Sequence, residues 1–338
     1  MKYKIGIVNS TSFGIIYPEH VKKLEQFSEV ERINFPADVS EKKIINTLSD
    51  FDGLIIGLSP LYNRNILKNL KKLVVITRHG IADSNLDLKA ATEFGIIVCR
   101  FPLEIQRESM AEYTVGLIIM MARKLNQNYE FMKNEIWGKR IELVGIELKE
   151  KNVGIIGLGN VGTRVCEILK NGFGMKVYAN DPLLSEDEIK KRGAIPIELK
   201  ELYKISDIIT FHCPLNEKTY HMIKEEEFSI MKEGVIIVNT SNKDLIDEKS
   251  LIKYLKSEKI GGYVEDAIEI TQIVKENPLL KFKNVVIIPH LGRYTYEAIK
   301  NMGEVTVENL RKIFVEKELP KYVENIEVKP KIPLKLSS

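Results

Sequence analysis

The residues of clearest chemical meaning lie mid-chain. Val153-Gly154-Ile155-Ile156-Gly157-Leu158-Gly159-Asn160-Val161-Gly162 is an apolar run that breaks into GxGxxG. Each glycine has its own reason: Gly157 permits a tight turn, Gly159 lets backbone approach a pyrophosphate, and Gly162 lets a new helix pack on its strand. A diphosphate then faces a helix N-terminus. A glycine turn between strand and helix needs no ligand, so the surroundings must decide. Val165, Ile168 and Leu169 have helical spacing and run to a predicted C-cap at Asn171-Gly172. The stretch Met175 to Asp181 then reads as a second strand, whose closing acid stands where a ribose diol would sit. Pro182 and Leu183 follow, without the basic residues that a 2′-phosphate requires, so NAD is expected over NADP.

A chain of 338 residues exceeds the usual size of one domain, and two are expected to position this loop. Charged residues make up 29% and hydrophobic ones 44%, an ordinary globular profile. The net charge of +3 is spread along interleaved Lys and Glu, and no basic stripe or recognition motif points to nucleic acid. Cys99, Cys166 and Cys213 lie far apart in apolar runs, which suggests reduced core thiols in a cytoplasmic protein and no metal site. The N-terminal MKYKIGIVNS reads as a strand and not as a secretion signal, and no segment approaches membrane-span length.

Short apolar runs alternate with amphipathic stretches on both sides of the chain's middle. Ile5 to Val8, Leu54 to Gly57, Leu73 to Thr77 and Ile96 to Cys99 are predicted strands of a first parallel α/β unit. One long helix is predicted from about Ser109 to Lys133. A second unit begins at Asn152, with further strands at Ile208 to Phe211, Val235 to Val238, Gly261 to Val264 and Val285 to Ile288. A last helix from about Thr295 to Glu316 precedes a tail whose Pro320, Pro330 and Pro333 prevent its continuation.

Several patches, in order, resemble the D-isomer-specific 2-hydroxyacid dehydrogenase family over nearly the whole chain. They are Arg78 to Asp87, Ser109 to Gly116, the glycine loop, Asp207 to Leu215 (DIITFHCPL), Asn239-Thr240-Ser241, Leu245 to Glu248, and Pro289-His290-Leu291-Gly292. The resemblance implies an α/β protein of two parallel-sheet domains. A Rossmann coenzyme domain over residues 104–295 would be inserted in a flavodoxin-like substrate domain of residues 1–103 plus 296–338, with a homodimer formed through the coenzyme domain. It also implies a hydride transfer between NAD and a small hydroxy or oxo acid, with His290 taking or giving the proton. Asn160 and Val161 would offer amides to the diphosphate and Asp181 would hold the ribose. Cys213, Pro214, Thr240 and Ser241 would line the coenzyme, Asp266 would hold its carboxamide, and Ile81 and Ala82 would offer amides to the substrate. His212 matches a strand residue near the coenzyme and reads equally as scaffold.

Two departures stand out. Where the family reads Asn-Thr-Ala-Arg-Gly this chain reads Asn239-Thr240-Ser241-Asn242-Lys243, so Asn242 replaces the carboxylate-gripping arginine. The ungapped stretch from Asp266 to His290 puts Thr271 and Gln272 where the family has a glutamate and a proline. One neutral amide in place of a bidentate guanidinium weakens carboxylate anchoring by about 2 to 4 kcal/mol. Thr271 cannot raise the pKa of His290 by charge. In one reading the site is rebuilt, with Asn242 bonding an oxygenated small molecule and a new cation binding its anion; Lys243, Arg293 and Arg78 are the candidates, Arg293 being favoured. In the other, catalysis is lost and the chain binds NAD as a sensor or partner module. Lys243 reads first as a loop cation facing water, Arg78 also as a brace of the substrate domain, and His79 first as a structural residue and second as a proton carrier.

Overall fold

The computed structural model describes residues 2–79, 85–133, 137–266 and 277–335. The chain divides into two compact units, one of Met1–Ile105 with Thr295–Ser338 and the other of Gln106–Tyr294.

The first unit carries strands β1 (Tyr3–Val8), β2 (Ser28–Ile33), β3 (Gly53–Ile56), β4 (Val75–Arg78) and β5 (Ile97–Cys99). Their order is β2-β1-β3-β4-β5, all parallel, the flavodoxin-like winding. Strands β1, β3, β4 and β5 are covered on both faces and are nearly continuous Ile, Val and Leu. Strand β2 escaped the sequence reading because it is an edge: SEVERI buries only its two ends, and Glu31 pairs with Lys4 of β1 at 3.0 Å. The last helix, Tyr296–Arg311, runs into a π turn at Lys312–Glu316 and stops at Lys317, which has φ +60°. The tail then docks on β5. Val98 donates to Asn325 Oδ1 at 2.8 Å, Glu324 donates to the Val98 carbonyl at 2.8 Å, and Arg100 donates to the Tyr322 carbonyl at 2.9 Å.

The second unit has seven parallel strands: β6 (Asn152–Ile156), β7 (Lys176–Asn180), β8 (Ile195–Pro196), β9 (Ile208–Phe211), β10 (Val235–Asn239), β11 (Ile260–Glu265) and β12 (Val285–Ile287). The order β12-β11-β10-β9-β6-β7-β8 reverses direction between β6 and β9, the place where open α/β sheets bind ligands. One face is closed by the helices Arg107–Ala122 and Asn160–Phe173, the other by Leu199–Ile205, Glu225–Ile230 and Glu248–Lys256.

Two helical expectations need correction. The predicted helix from Ser109 to Lys133 is two helices, Arg107–Ala122 and Leu125–Lys133. The Ala122 carbonyl accepts the Ile146 amide at 2.8 Å, and Lys124 adopts φ +51°, so the first helix closes there. The helix after the glycine loop ends at Gly174, not at Asn171-Gly172. Gly174 has φ +62° and donates back to the Lys170 carbonyl, the left-handed cap that glycine favours.

Candidate active site

The glycine loop leaves β6 at the reversal point. Gly157 has φ +90°, and a Cβ there would lie 2.7 Å from the Cys213 amide nitrogen and 2.8 Å from the His212 carbonyl carbon. Only glycine lets this turn pass so close to the loop that follows β9. A Cβ on Gly162 would lie 2.2 Å from the Gly157 carbonyl oxygen, so the helix sits directly on the turn. At Gly159 a Cβ would meet nothing within 4 Å, and as N-cap this residue offers no side chain to the first amides of Asn160–Phe173. An open, uncapped helix N-terminus of 14 residues fits a diphosphate.

Asp181 follows β7 directly. Its Oδ2 accepts the Leu158 amide at 2.8 Å and its Oδ1 the Leu183 amide at 3.0 Å, so one carboxylate joins the glycine loop to the end of the neighbouring strand. Arg192 donates to the Leu158 carbonyl at 2.5 Å and braces the same loop. Opposite, Ser241 Oγ donates to the Cys213 carbonyl at 2.5 Å, the Pro214 carbonyl accepts from Thr219 Oγ1 at 2.8 Å, and Thr240 Oγ1 lies 3.1 Å from Thr114 Oγ1. Burial pushes the Cys213 thiol up to about 11, so it is protonated at neutral pH. His212 bonds to Thr210 Oγ1 through Nε2 at 3.1 Å, and burial lowers its pKa to about 4, a neutral scaffold ring.

Asn242 is occupied locally. Its Oδ1 accepts the Asp244 amide at 2.9 Å and its carbonyl accepts Asn239 Nδ2 at 2.8 Å, which shapes the turn after β10. Lys243 is partly exposed, 3.9 Å from Asp244. Asp266, 1% exposed at the end of β11, holds the loop after β12: Oδ1 accepts the Leu291 amide at 2.7 Å and Oδ2 the Gly292 amide at 2.8 Å. Burial raises its pKa to about 6 despite these bonds and the nearby Arg293 guanidinium. The clamp sets His290 at φ +56°, a left-handed conformation unusual for a side chain bearing a Cβ. Burial, and then Arg293, lower the His290 imidazole to about 4. Arg293 is 4% exposed, and its Nη1 has no hydrogen-bond partner among the described residues.

In the first unit, Arg78 is buried with its Nε 3.6 Å from Glu324 Oε2, which ties β4 to the tail. His79 Nδ1 lies 3.2 Å from Ser12 Oγ, with the ring edge against Phe13. Ile81, Ala82, Thr271 and Gln272 lie outside the described residues.

Residues 115–292 match the model of the D-isomer specific 2-hydroxyacid dehydrogenase NAD binding domain. The chain belongs to the D-isomer-specific 2-hydroxyacid dehydrogenase family. It is 35% identical over 319 residues to the D-3-phosphoglycerate dehydrogenase of Methanocaldococcus jannaschii, covering 94% of this chain but only 59% of that protein. It is 32% identical to the glyoxylate reductase of Korarchaeum cryptofilum, covering 91% of this chain and 93% of that one. The apo-structure of D-lactate dehydrogenase from Escherichia coli superposes with a TM-score of 0.79 at 30% identity, covering 92% of this chain and 96% of that one.

Within the site, three contacts had no sequence signal: the Leu158 amide on Asp181, the paired Leu291 and Gly292 amides on Asp266, and the Thr114–Thr240 pair. Each joins segments far apart in the chain. The nearest clue was that Asp181 and Asp266 both follow apolar strands, where an acid is costly unless it is bonded.

Proposed function

We propose that the protein is an NAD-dependent oxidoreductase that interconverts a small 2-oxo acid and its 2-hydroxy acid, with unit Gln106–Tyr294 as the coenzyme domain and the other unit as the substrate domain. The observation that supports it most is the Asp266 clamp. It fixes His290 at the carboxyl end of the sheet that also carries the glycine loop and Asp181.

The Asn160 and Val161 amides bind the diphosphate at the helix N-terminus, beside the turn made by Gly157, Gly159 and Gly162. Asp181 keeps acceptor capacity on both oxygens for the ribose diol and repels a 2′-phosphate, which favours NAD over NADP. The loops of Cys213-Pro214 and Thr240-Ser241 flank this groove. Asp266, its oxygens engaged by backbone, orients the His290 loop and has remaining lone pairs for a carboxamide. Bound nicotinamide supplies or receives the hydride at the substrate carbon, and His290 exchanges the proton at the substrate oxygen. Asn242 Nδ2 is a donor toward an oxygenated substrate, and Lys243 and Arg293 are cations for its anion. Arg78, already paired with Glu324, acts through the fold of its unit.

We also propose a homodimer through the coenzyme domain. Leu125, Tyr129, Ile141 and Val144 expose apolar surface on it, and sedentation at equilibrium should give twice the chain mass. The free thiols of Cys99, Cys166 and Cys213 fit a reducing, cytoplasmic setting. No helix among the described residues is long and apolar enough to cross a membrane. The direct test of the activity is NADH oxidation with a panel of 2-oxo acids. Turnover should appear with at least one of them and vanish in His290→Gln, whereas turnover unchanged in that variant removes His290 from the chemistry.

A further inference from the structure

Resting on the dehydrogenase reading, we infer that Arg293 is the cation that receives the substrate carboxylate, and that this ion pair lets His290 carry the proton it gives to the substrate oxygen. One residue thereby serves for both the arginine missing at Asn242 and the glutamate missing at Thr271.

A guanidinium has five N–H donors and stays charged when buried. Arg293 is 4% exposed, yet its Nη1 has no partner among the described residues. What stands near it is Tyr294, by hydrogen bond and with the ring centre 6.0 Å away, and the Asp266 carboxylate, which acts on it through charge. Both Asp266 oxygens already accept the Leu291 and Gly292 amides. A buried charge with open donors is costly unless an anion completes it. The ion it calls for presents an anionic oxygen to Nη1, as a carboxylate does.

Arg293 lies three residues after His290 in a loop whose backbone is pinned by Asp266, and its charge reaches the imidazole. Among the described residues the titratable groups around this loop are Arg293 and Tyr294 from the loop itself, Asp266 just after β11, and Tyr113 from the helix Arg107–Ala122, which packs on Gly292. Among the described residues Arg293 alone acts on His290 by charge, and it disfavours the imidazolium. A carboxylate on Arg293 cancels that effect and adds a negative charge beside the ring. In the reductive direction the carbonyl carbon then gains a hydride and its two electrons from the dihydronicotinamide. The C=O π pair moves to oxygen, which takes the His290 proton, leaving oxidised coenzyme, neutral imidazole and a 2-hydroxy acid.

The test uses the full chain saturated with NADH and oxamate, a non-reducible 2-oxo acid mimic. Histidine is ¹³C-labelled, and His290→Gln assigns the His290 signal. Oxamate should raise the His290 midpoint by about 2 pH units, as an opposite charge at close range does. Arg293→Gln should bind oxamate about 100-fold more weakly, the loss typical of removing one partner from a buried charge pair, with Arg293→Lys recovering part of it. Unchanged NADH affinity in both variants shows that they fold. If Arg293→Gln binds oxamate as tightly as the wild type, or if bound oxamate leaves the His290 midpoint where it was, the inference fails while turnover of 2-oxo acids upholds the dehydrogenase. Wild-type protein that binds NADH but neither binds oxamate nor reduces any 2-oxo acid overturns both.

Discussion

Replacing Asp181 by alanine tests the coenzyme end of the site, and the structure sets the size of the effect. A carboxylate has about four acceptor positions, two on each oxygen. In Asp181 one on each is taken, by Leu158 at 2.8 Å and Leu183 at 3.0 Å. One position per oxygen is left, the number a ribose diol fills. Charge-assisted bonds contribute about 1.5–3 kcal/mol each. Asp181 is half-buried, so the lower figure applies, and two bonds give about 3 kcal/mol, roughly 100-fold in Kd. Against a 2′-phosphate the same carboxylate acts by repulsion, about 4 kcal/mol per charge pair at 4 Å and an effective dielectric of 20. Surface screening reduces this, and about another 100-fold is a conservative share. Asp181→Ala should therefore weaken NADH about 100-fold and shift the NADH-to-NADPH affinity ratio by about ten-thousandfold toward NADPH. Fluorescence titration of both coenzymes at fixed ionic strength measures it, with circular dichroism checking that the loop still folds. A ratio within threefold of the wild type would refute the placement of the ribose at Asp181.

Two further predictions concern residues whose chemistry serves the fold. Arg78→Met leaves the Glu324 carboxylate without the guanidinium now 3.6 Å away and should cost about 2–4 kcal/mol in urea unfolding. NADH affinity should stay as it was; a large rise in KM at unaltered stability would return Arg78 to the substrate site. For His212, the folded pKa of about 4 lies below the unfolded value near 6.5. The unfolded chain takes up the proton first, so this residue's contribution is complete above pH 6.5 and is lost as pH falls toward 4. The loss is about 3 kcal/mol over that window, and His212→Gln should flatten the acid slope of unfolding free energy by up to one proton. An identical slope in both proteins would contradict the burial argument.

How much the sequence disclosed follows from which forces are local. Gly157, Gly159, Gly162 and Asp181 were legible because turn geometry, helix packing and strand length act within one βαβ unit. Strand β2 was not, because an edge strand with charged faces carries no continuous apolar run. The break at Lys124 depends on Ile146 reaching the Ala122 carbonyl, a contact that no window along the helix contains. Asp266 was read as a ligand group, while its amide bonds to Leu291 and Gly292 also make it the anchor of the histidine loop. Asn242 was legible as a substitution, but its bond to the Asp244 amide is a turn contact that only the fold reveals.

Under the proposed function His290 exchanges the proton while hydride moves between nicotinamide and the substrate carbon. Single-turnover mixing of the protein with (4,4-²H₂)NADH and a 2-oxo acid follows the transferred atom whichever face of the ring is used. The product should be a 2-hydroxy acid carrying deuterium at C2, formed at least about 10²-fold more slowly by His290→Gln, a typical share for general acid catalysis, at equal coenzyme affinity. Tight NADH binding with no deuterium transferred to any 2-oxo acid, in wild type and variant alike, would contradict it.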